Sequence, residues 1–351
     1  MKKLGFGLMR LPQIGDDYGK VDIEQLKAMV DYFIGHEFTY FDTSYVYHGG
    51  KSETAIKEAL VARYDRDRYT LTDKLPTWLV NDLEDIDRLI NEQLNKTGVE
   101  YFDYYLMHAM NAQHYERMKR IGAFRRFEEL KEEGKIRHIC ISFHDTADVL
   151  ERILSEQPSI EYVQVILNYA DVENEGIQIR ECYETILRHN RKVIVMEPVK
   201  GGVLAKMDEK YEEKLKALDP EASIASWAIR YAASQQGVFV VLSGMSSIEQ
   251  MKDNVSYMED FKELNDEESA VIKEVAEEMY ADRPIKLISE NKAIRHYVGL
   301  YNNRIGMHTK DGWQDIIYGS VKERYGDPET LMKEASPEEK EALQKVLEAF
   351  A

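Results

Sequence analysis

The chain has only two cysteines, Cys140 and Cys182, in 351 residues. Two thiols cannot hold a four-iron cluster or a cysteine-rich zinc site, and they make no disulfide framework. They fit a reducing compartment. Basic charge is also scarce: 46 Lys and Arg against 64 Asp and Glu leave a formal net charge of −18. Nucleic acids and anionic membranes demand basic patches, so neither is an expected partner. No run approaches the ~20 apolar residues of a membrane helix. MKKLGFGLMRLP carries two lysines, but Gly5, Gly7, Arg10 and Pro12 break its apolar core and no small-residue cleavage site follows. The expectation is a cytoplasmic protein. Internal repeats and low-complexity linkers are missing too. Hydrophobic content of 44% and charged content of 31% are those of a globular chain, and this length can bury a full core.

What is present is an alternation. Short runs rich in aromatic and β-branched residues recur at Leu4–Gly7, Phe38–Phe41, Tyr69–Asp73, Tyr104–Met107, His138–Ile141, Tyr162–Ile166, Val193–Met196 and Val238–Leu242. Continuous runs of this kind suit strands covered on both faces. Between them, stretches such as VDIEQLKAMVDYFIGH and DLEDIDRLINEQLNK place apolar residues at helical spacing. Eight such alternations predict an α/β fold, a (β/α)8 TIM barrel over residues 1–258. A doubly wound sheet would want GxGxxG after the first strand. GFGLMRLP lacks the third glycine and carries Pro12. From residue 259 the pattern is helical only, with Pro284 as a stop and Ser336–Pro337 as a helix start. Residues 259–351 are expected to form a helical C-terminal extension.

Three polar residues fall where predicted strands end: Asp42, Lys74 and His108. Tyr47 follows Asp42 by five residues. A parallel barrel opens all its strand C-termini onto one face, so these residues should converge. Together they suit carbonyl reduction, which needs hydride on carbon and a proton on oxygen. No side chain supplies hydride, so a nicotinamide is expected. Tyr47 is the candidate acid. A free phenol has a pKa near ~10, and Lys74, held by Asp42, is expected to lower it. His108 is expected to orient the carbonyl oxygen. Singly, each residue has an ordinary alternative: a turn cap, one tyrosine of 22, a snorkelling lysine, a core histidine. The joint placement carries the reading. His48, His108 and His144 lack the spacing of a ligand motif, so no metal is expected. EPVKGG offers Lys200 and the backbone amides around Gly201 and Gly202 to a pyrophosphate.

FDTSYVYHGGKSE at 41–53, LTDKLP, YYLMHA, GKIRHICISFHD at 134–145, VQVILNY at 163–169 and SGMSSIEQMKDN at 243–254 stand in the order of the aldo-keto reductase motifs. The chain resembles that family across residues 3–258. The resemblance implies a barrel that uses NADPH or NADH, with Asp42, Tyr47, Lys74 and His108 as its catalytic tetrad. It puts Ser142 and Gln164 on the nicotinamide carboxamide and Met196 where relatives stack an aromatic. It assigns Gly7, Met9, Arg10, Pro198, Val199, Lys200, Gly201, Gly202, Leu204, Ser243, Gly244, Met245, Ser246, Gln250 and Asn254 to the rest of the dinucleotide. Other positions also depart from the family pattern. His48 follows the tyrosine, Lys51 precedes Ser52 and Glu53, and His144 replaces an asparagine. The opening KLGFGLMRLP resembles a bacterial branch that commonly carries a C-terminal ferredoxin-like domain. Its cluster cysteines are absent here, so residues 259–351 read as a vestige of that domain, with no iron–sulfur cluster.

Gly244, Ser246, Ser247 and Gln250 stand where Lys or Arg would meet a 2′-phosphate. The expected cofactor is therefore NAD(H) in preference to NADP(H), with Lys252 as the nearest alternative cation. The expected reaction is NAD(P)-dependent reduction of an aldehyde, ketone or sugar carbonyl, or oxidation of the alcohol. Tyr45, Trp78, His144 and Tyr169 are expected to shape the substrate pocket. An internal-redox sugar epimerase with tightly bound NAD and a non-catalytic cofactor-sensing barrel are the alternatives. A homo-oligomer is left open.

Overall fold

The computed structural model describes residues 2–15, 17–174, 177–287, 289–306, 318–319, 321–322 and 325–350, without the side chains of 292 and 303–306. Eight strands close a barrel in sequence order: β1 (Leu4–Gly7), β2 (Tyr40–Asp42), β3 (Thr70–Leu75), β4 (Phe102–Met110), β5 (Ile136–Phe143), β6 (Tyr162–Ile166), β7 (Lys192–Met196) and β8 (Val238–Ser243). All eight pairings are parallel, including the closing β1–β8 contact. This is the expected (β/α)8 TIM barrel. Each of the eight expected strands is present, with ends shifted by a few residues.

The two-residue period of a strand decides what faces the interior. Tyr40, Tyr104, Leu106, Cys140, Ile194, Val240 and Leu242 pack inside as one buried cluster, joined by Tyr162 and Phe239. Two residues further along their strands, on the same parity, come Asp42, His108, Ser142 and Gln164. Lys74 shares the inward parity of Thr72 on β3. An apolar plug thus fills the barrel floor, and polar side chains occupy the layer towards the strand C-termini. On the outer face, Phe41 packs against Phe6 and Phe33. Burying one such ring contributes about 1.5–3 kcal/mol. Phe38 does not start β2 as expected. Its amide instead donates to the Phe33 carbonyl in the turn after the first helix, and its ring stacks on Phe33 at 5.1 Å.

The chain divides into two compact units. One comprises Met1–Leu167, Glu181–Pro198 and Ile229–Leu264 and holds all eight strands. The other comprises Asn168–Arg180, Val199–Ala228 and Asn265–Ala351. Its helix Asp266–Ala281 opens with a capping box between Asn265 and Glu268 and stops three residues before Pro284. Its helices Lys292–Gly306 and Pro337–Ala349 share a core of Ile294, Tyr297, Val298, Leu343 and Val346. Ser336 caps the last helix with Pro337 at its start, as its sequence signals. Residues 307–317, within the expected extension, lie outside the described residues. No helix among the described residues is long and apolar enough to cross a membrane.

Candidate active site

Lys74 reaches from β3 to Asp42 on β2, with Nζ 2.5 Å from Oδ1. The same ammonium donates to the Thr43 carbonyl at 2.6 Å. Both side chains are almost wholly withdrawn from water, so each charge depends on the other. Asp42, Thr43 and their neighbours hold Lys74 as an ammonium: against the cost of burial, the Asp42 charge raises its pKa. Burial pushes Asp42 itself upward, against the pull of Lys74 and of Gln164. Gln164 Nε2 donates to Asp42 Oδ2 at 3.3 Å.

Tyr47 lies in the loop after β2, its ring centroid 4.8 Å from Lys74 Nζ. The expected acidification does not result. Lys74 lowers the phenol's pKa, but burial raises it further and Asp42 adds to the rise, so the net shift is upward. Desolvation penalises phenolate more than one cation already shared with Asp42 and Thr43 can offset. His108 stands edge-on to Tyr47, with ring centroids 6.1 Å apart, and Trp78 lies 5.3 Å from it on another side. The buried ring has a pKa well below the ordinary histidine value, first from burial and then from the Lys74 charge, so it is neutral. Its Nδ1 lies 3.0 Å from Ser44 Oγ.

A backbone irregularity accompanies this cluster. The β4–β5 register shifts between Met107 and Met110, and Ala109 has a φ of 54°. Left-handed backbone is rare for alanine, and such outliers concentrate at functional sites. Ser142 Oγ accepts the Ala109 N–H at 2.8 Å, which helps hold the shifted backbone beside His108.

The structure therefore brings Asp42, Tyr47, Lys74, His108, Trp78, Ser142 and Gln164 into one connected set. Other expected residues lie in separate groups. Tyr45 hydrogen-bonds Glu92 and lies under the Lys96 ammonium. His144 is the exception: it lies close enough for its charge to act on His108 and to feel Lys74, and it donates its backbone N–H to the Met110 carbonyl. In the second unit, Tyr169 is buried with its hydroxyl towards the Met207 sulfur. Lys200, also in that unit, pairs with Asp171 at 2.6 Å, an internal carboxylate that it shares with Arg283.

Several groups in or beside the site were not anticipated. Ser44 and Thr43 lie beside Asp42 in the first motif but were given no role there. Gln93 donates to the Lys74 carbonyl and accepts from Tyr105. Asp73, next to Lys74 on the outward parity of β3, meets buried Glu53. Strand parity could have exposed this pair, since both acids fall in the two strongest motifs.

The donor set fits a dinucleotide. Ser142 and Gln164 are register partners on β5 and β6, so a hydroxyl and an amide stand side by side for a carboxamide. Gly7, at the end of β1, lies beside the Ser243 carbonyl and Gly244 at the end of β8. After β8, Ser247 caps the helix Ile248–Met258, whose N-terminus offers a phosphate-binding dipole. Ser243 accepts from Asn254 there, Gln250 accepts the Ser246 N–H, and the Arg10 stem packs on Gly244. In the second unit, taken by itself, Gly201 and Gly202 both have positive φ in the loop after Val199. No group of three or more potential metal ligands occurs among the described residues.

Residues 3–277 match the Aldo/keto reductase family, and the chain belongs to it. Among solved structures it is similar to the aldo-keto reductase AKR11C1 of Bacillus halodurans, with a TM-score of 0.65 and 24% identity over 78% of this chain and 91% of that one. An aldo-keto reductase of Klebsiella pneumoniae in complex with NADPH gives a TM-score of 0.62 and 20% identity over 78% and 90%. L-galactose dehydrogenase of Arabidopsis thaliana is 24% identical over 74% of this chain and 85% of that protein. The uncharacterized oxidoreductase YqkF of Bacillus subtilis is 23% identical over 72% and 89%.

Proposed function

We propose that this protein is a nicotinamide-dependent oxidoreductase that reduces the carbonyl of a small aldehyde, ketone or sugar, with Tyr47 as proton donor. The observation that carries the reading is the buried Asp42–Lys74 pair placed against the Tyr47 ring, with neutral His108 beside it. Membership of an oxidoreductase family and the NADPH named in the Klebsiella complex support it.

The bound dinucleotide would supply hydride to the carbonyl carbon. Everything else falls to side chains. Ser142 and Gln164 would hold the carboxamide and so fix which face of the nicotinamide is offered. With the Ser44 hydroxyl as donor to His108 Nδ1, the ring would carry its proton on Nε2 and offer it to the carbonyl oxygen. Tyr47 then passes its proton to that oxygen as negative charge builds there, while Lys74 stabilises the phenolate left behind. The upward shift of the phenol keeps it protonated at neutral pH, the state a donor needs. Trp78, partly exposed beside His108, offers a flat face to a sugar or aromatic substrate.

NADH is the proposed form of the cofactor, because residues 243–251 contain no lysine or arginine for a 2′-phosphate. Residues 259–351 are proposed to be a C-terminal extension derived from a ferredoxin-like domain that has lost its cluster. The test is oxidation of NADH and NADPH against simple aldehydes, sugars and steroids, with Tyr47→Phe as control. Turnover by wild type that Tyr47→Phe abolishes, with dinucleotide affinity intact, is the expected outcome. Equal turnover by both proteins would remove Tyr47 from the chemistry.

A further inference from the structure

His48 directly follows Tyr47, is fully buried, and occupies left-handed backbone with φ 53° and ψ 43°. Glycine is the residue that adopts this conformation without steric cost, and a histidine there needs compensation from its surroundings. The surroundings supply it. His48 Nε2 accepts the Leu11 N–H at 2.9 Å, just beyond the end of β1. Its Nδ1 lies 2.8 Å from the Tyr18 carbonyl. A backbone N–H can only donate and a carbonyl can only accept, so these two partners fix the neutral Nδ1–H tautomer. The Tyr18 ring stacks on the imidazole at 4.4 Å, and the Tyr18 hydroxyl accepts the His48 N–H at 3.2 Å.

Leu11 leads into a small hairpin and Tyr18 lies within it. It is closed by the Gln13–Val21 bridge and by the hydrogen bonds from Ile14 to Lys20 and from Asp22 to Pro12. Besides the His48 ring contacts, Tyr47 N–H donates to the Ser44 carbonyl and Lys51 N–H to the His48 and Tyr47 carbonyls. Movement of the loop backbone that would carry the phenol out of line with His108 would have to drag the His48 ring from its two backbone partners.

We propose that His48 is a positioning residue for Tyr47: its ring ties the 11–22 hairpin to the loop that carries the phenol and so fixes where the proton is delivered. This rests on the reading of Tyr47 as proton donor. The effect belongs in kcat, since His48 holds the donor, touches neither Ser142 nor Gln164, and meets the Met9–Leu11 segment through its backbone and not through the side chains assigned to the dinucleotide. A misplaced donor costs rate without weakening cofactor binding.

The experiment compares intact wild type, His48→Ala, His48→Asn, Tyr18→Ala and Tyr47→Phe. It reads kcat and KM with 4-nitrobenzaldehyde, dinucleotide affinity by fluorescence quenching, and the rate of tryptic cleavage after the exposed Lys20. The expected result is a fall in kcat of tenfold or more for His48→Ala, with dinucleotide affinity within twofold of wild type and faster cleavage at Lys20. Asparagine tolerates left-handed backbone and offers one donor and one acceptor, so His48→Asn should recover most of the loss. Should His48→Ala fail to fold, Tyr18→Ala decides. This surface change removes the stack from the hairpin side and should lower kcat about threefold at unchanged affinity. Unchanged kcat in either alanine variant, or no recovery in the folded His48→Asn protein, overturns the proposal. Full turnover by Tyr47→Phe would instead sink the functional reading and take this proposal with it. A dead Tyr47→Phe beside a fully active His48→Ala sinks the proposal alone.

Discussion

The Lys74 ammonium sits 2.5 Å from Asp42 Oδ1, with neither side chain appreciably exposed to solvent. Such a pair is costly to create and costlier to break, because removing one partner strands a buried charge. Loss of one member typically destabilises by about 3–5 kcal/mol. Lys74→Met is therefore expected to lower the urea midpoint clearly, while the double variant Lys74→Met/Asp42→Leu should recover part of the loss. Lys74 is also what pulls the Tyr47 phenol down against burial. In Lys74→Met the phenol should move further up, and any alcohol oxidation, which needs phenolate as base, should fall more than carbonyl reduction. Equal falls in both directions would mean that Lys74 does not tune Tyr47.

Tyr47 sets the basic side of the pH profile. Its pKa is raised above the ordinary phenol value. The acid needed for reduction is thus fully protonated through pH 6–9, and kcat/KM for reduction should stay flat there and decline only above about 10. Oxidation should rise over the same alkaline range. Tyr47→Phe should lower reduction by roughly 10²–10⁴-fold, the usual contribution of a positioned proton donor. A break in the reduction profile between pH 7 and 8 would assign the proton to another group.

His108 should give no break near neutrality, because burial and the Lys74 charge hold its pKa well below 6.5. The sign for stability follows from the same shift. Below about 6.5 the unfolded chain takes up a proton that the folded ring refuses, so stability is full above that pH and falls as the pH drops towards the folded value. His108→Gln should flatten part of this acid-side decline in urea midpoints measured between pH 4.5 and 7. An unchanged slope would mean that His108 does not contribute to it.

The barrel was readable because its strands are short apolar runs of even spacing, and strand parity carries Asp42, His108 and Gln164 to the same layer. Element ends were less readable. Phe38 has strand-like chemistry, yet the turn after the first helix claims its amide. The direction of the Tyr47 shift was not readable at all, since adjacency to a lysine is visible in a motif but complete burial is a property of the assembled fold. The left-handed Ala109 carries no residue signal, because alanine is not the residue that such backbone calls for. His48 was visible as a departure from the family pattern, while its partners, Leu11 and Tyr18, lie about 30 or more residues away.

Cofactor preference can be turned by one side chain. Gln250 lies in the first turn after β8, its amide oxygen accepting the Ser246 N–H. A guanidinium at that position would face the place proposed for the ribose 2′ group. One charge-assisted hydrogen bond is worth about 1.5–3 kcal/mol, so Gln250→Arg should tighten NADPH by roughly tenfold or more and leave NADH nearly unchanged. Titration of both dinucleotides by fluorescence quenching checks this. Wild-type binding of NADPH tighter than NADH would overturn the NADH assignment and point to Arg10, whose stem already packs against Gly244.

Glu53 and Asp73 are both fully buried. If both were ionised, Glu53 Oε1 and Asp73 Oδ2 would lack a hydrogen-bond donor, while the Lys96 ammonium lies 3.4 Å from Glu53 Oε2. A proton on Asp73, donated to Glu53, resolves this. Asp73 is pushed well above the ordinary carboxyl value, first by burial and then by the Glu53 charge, while Lys96, 3.4 Å from Glu53, favours the ionised state of that partner. A carboxyl whose folded pKa is raised stabilises the fold below its unfolded value near 4, and that contribution is lost as the pH climbs through the folded value. Asp73→Asn makes the donor permanent: its amide can donate to Glu53, and its oxygen can still accept the Lys74 N–H that Asp73 Oδ1 accepts now. The variant should match wild type in urea midpoint at pH 5 and exceed it increasingly towards pH 9. A midpoint difference that stays constant across that range would show that Asp73 does not titrate within it.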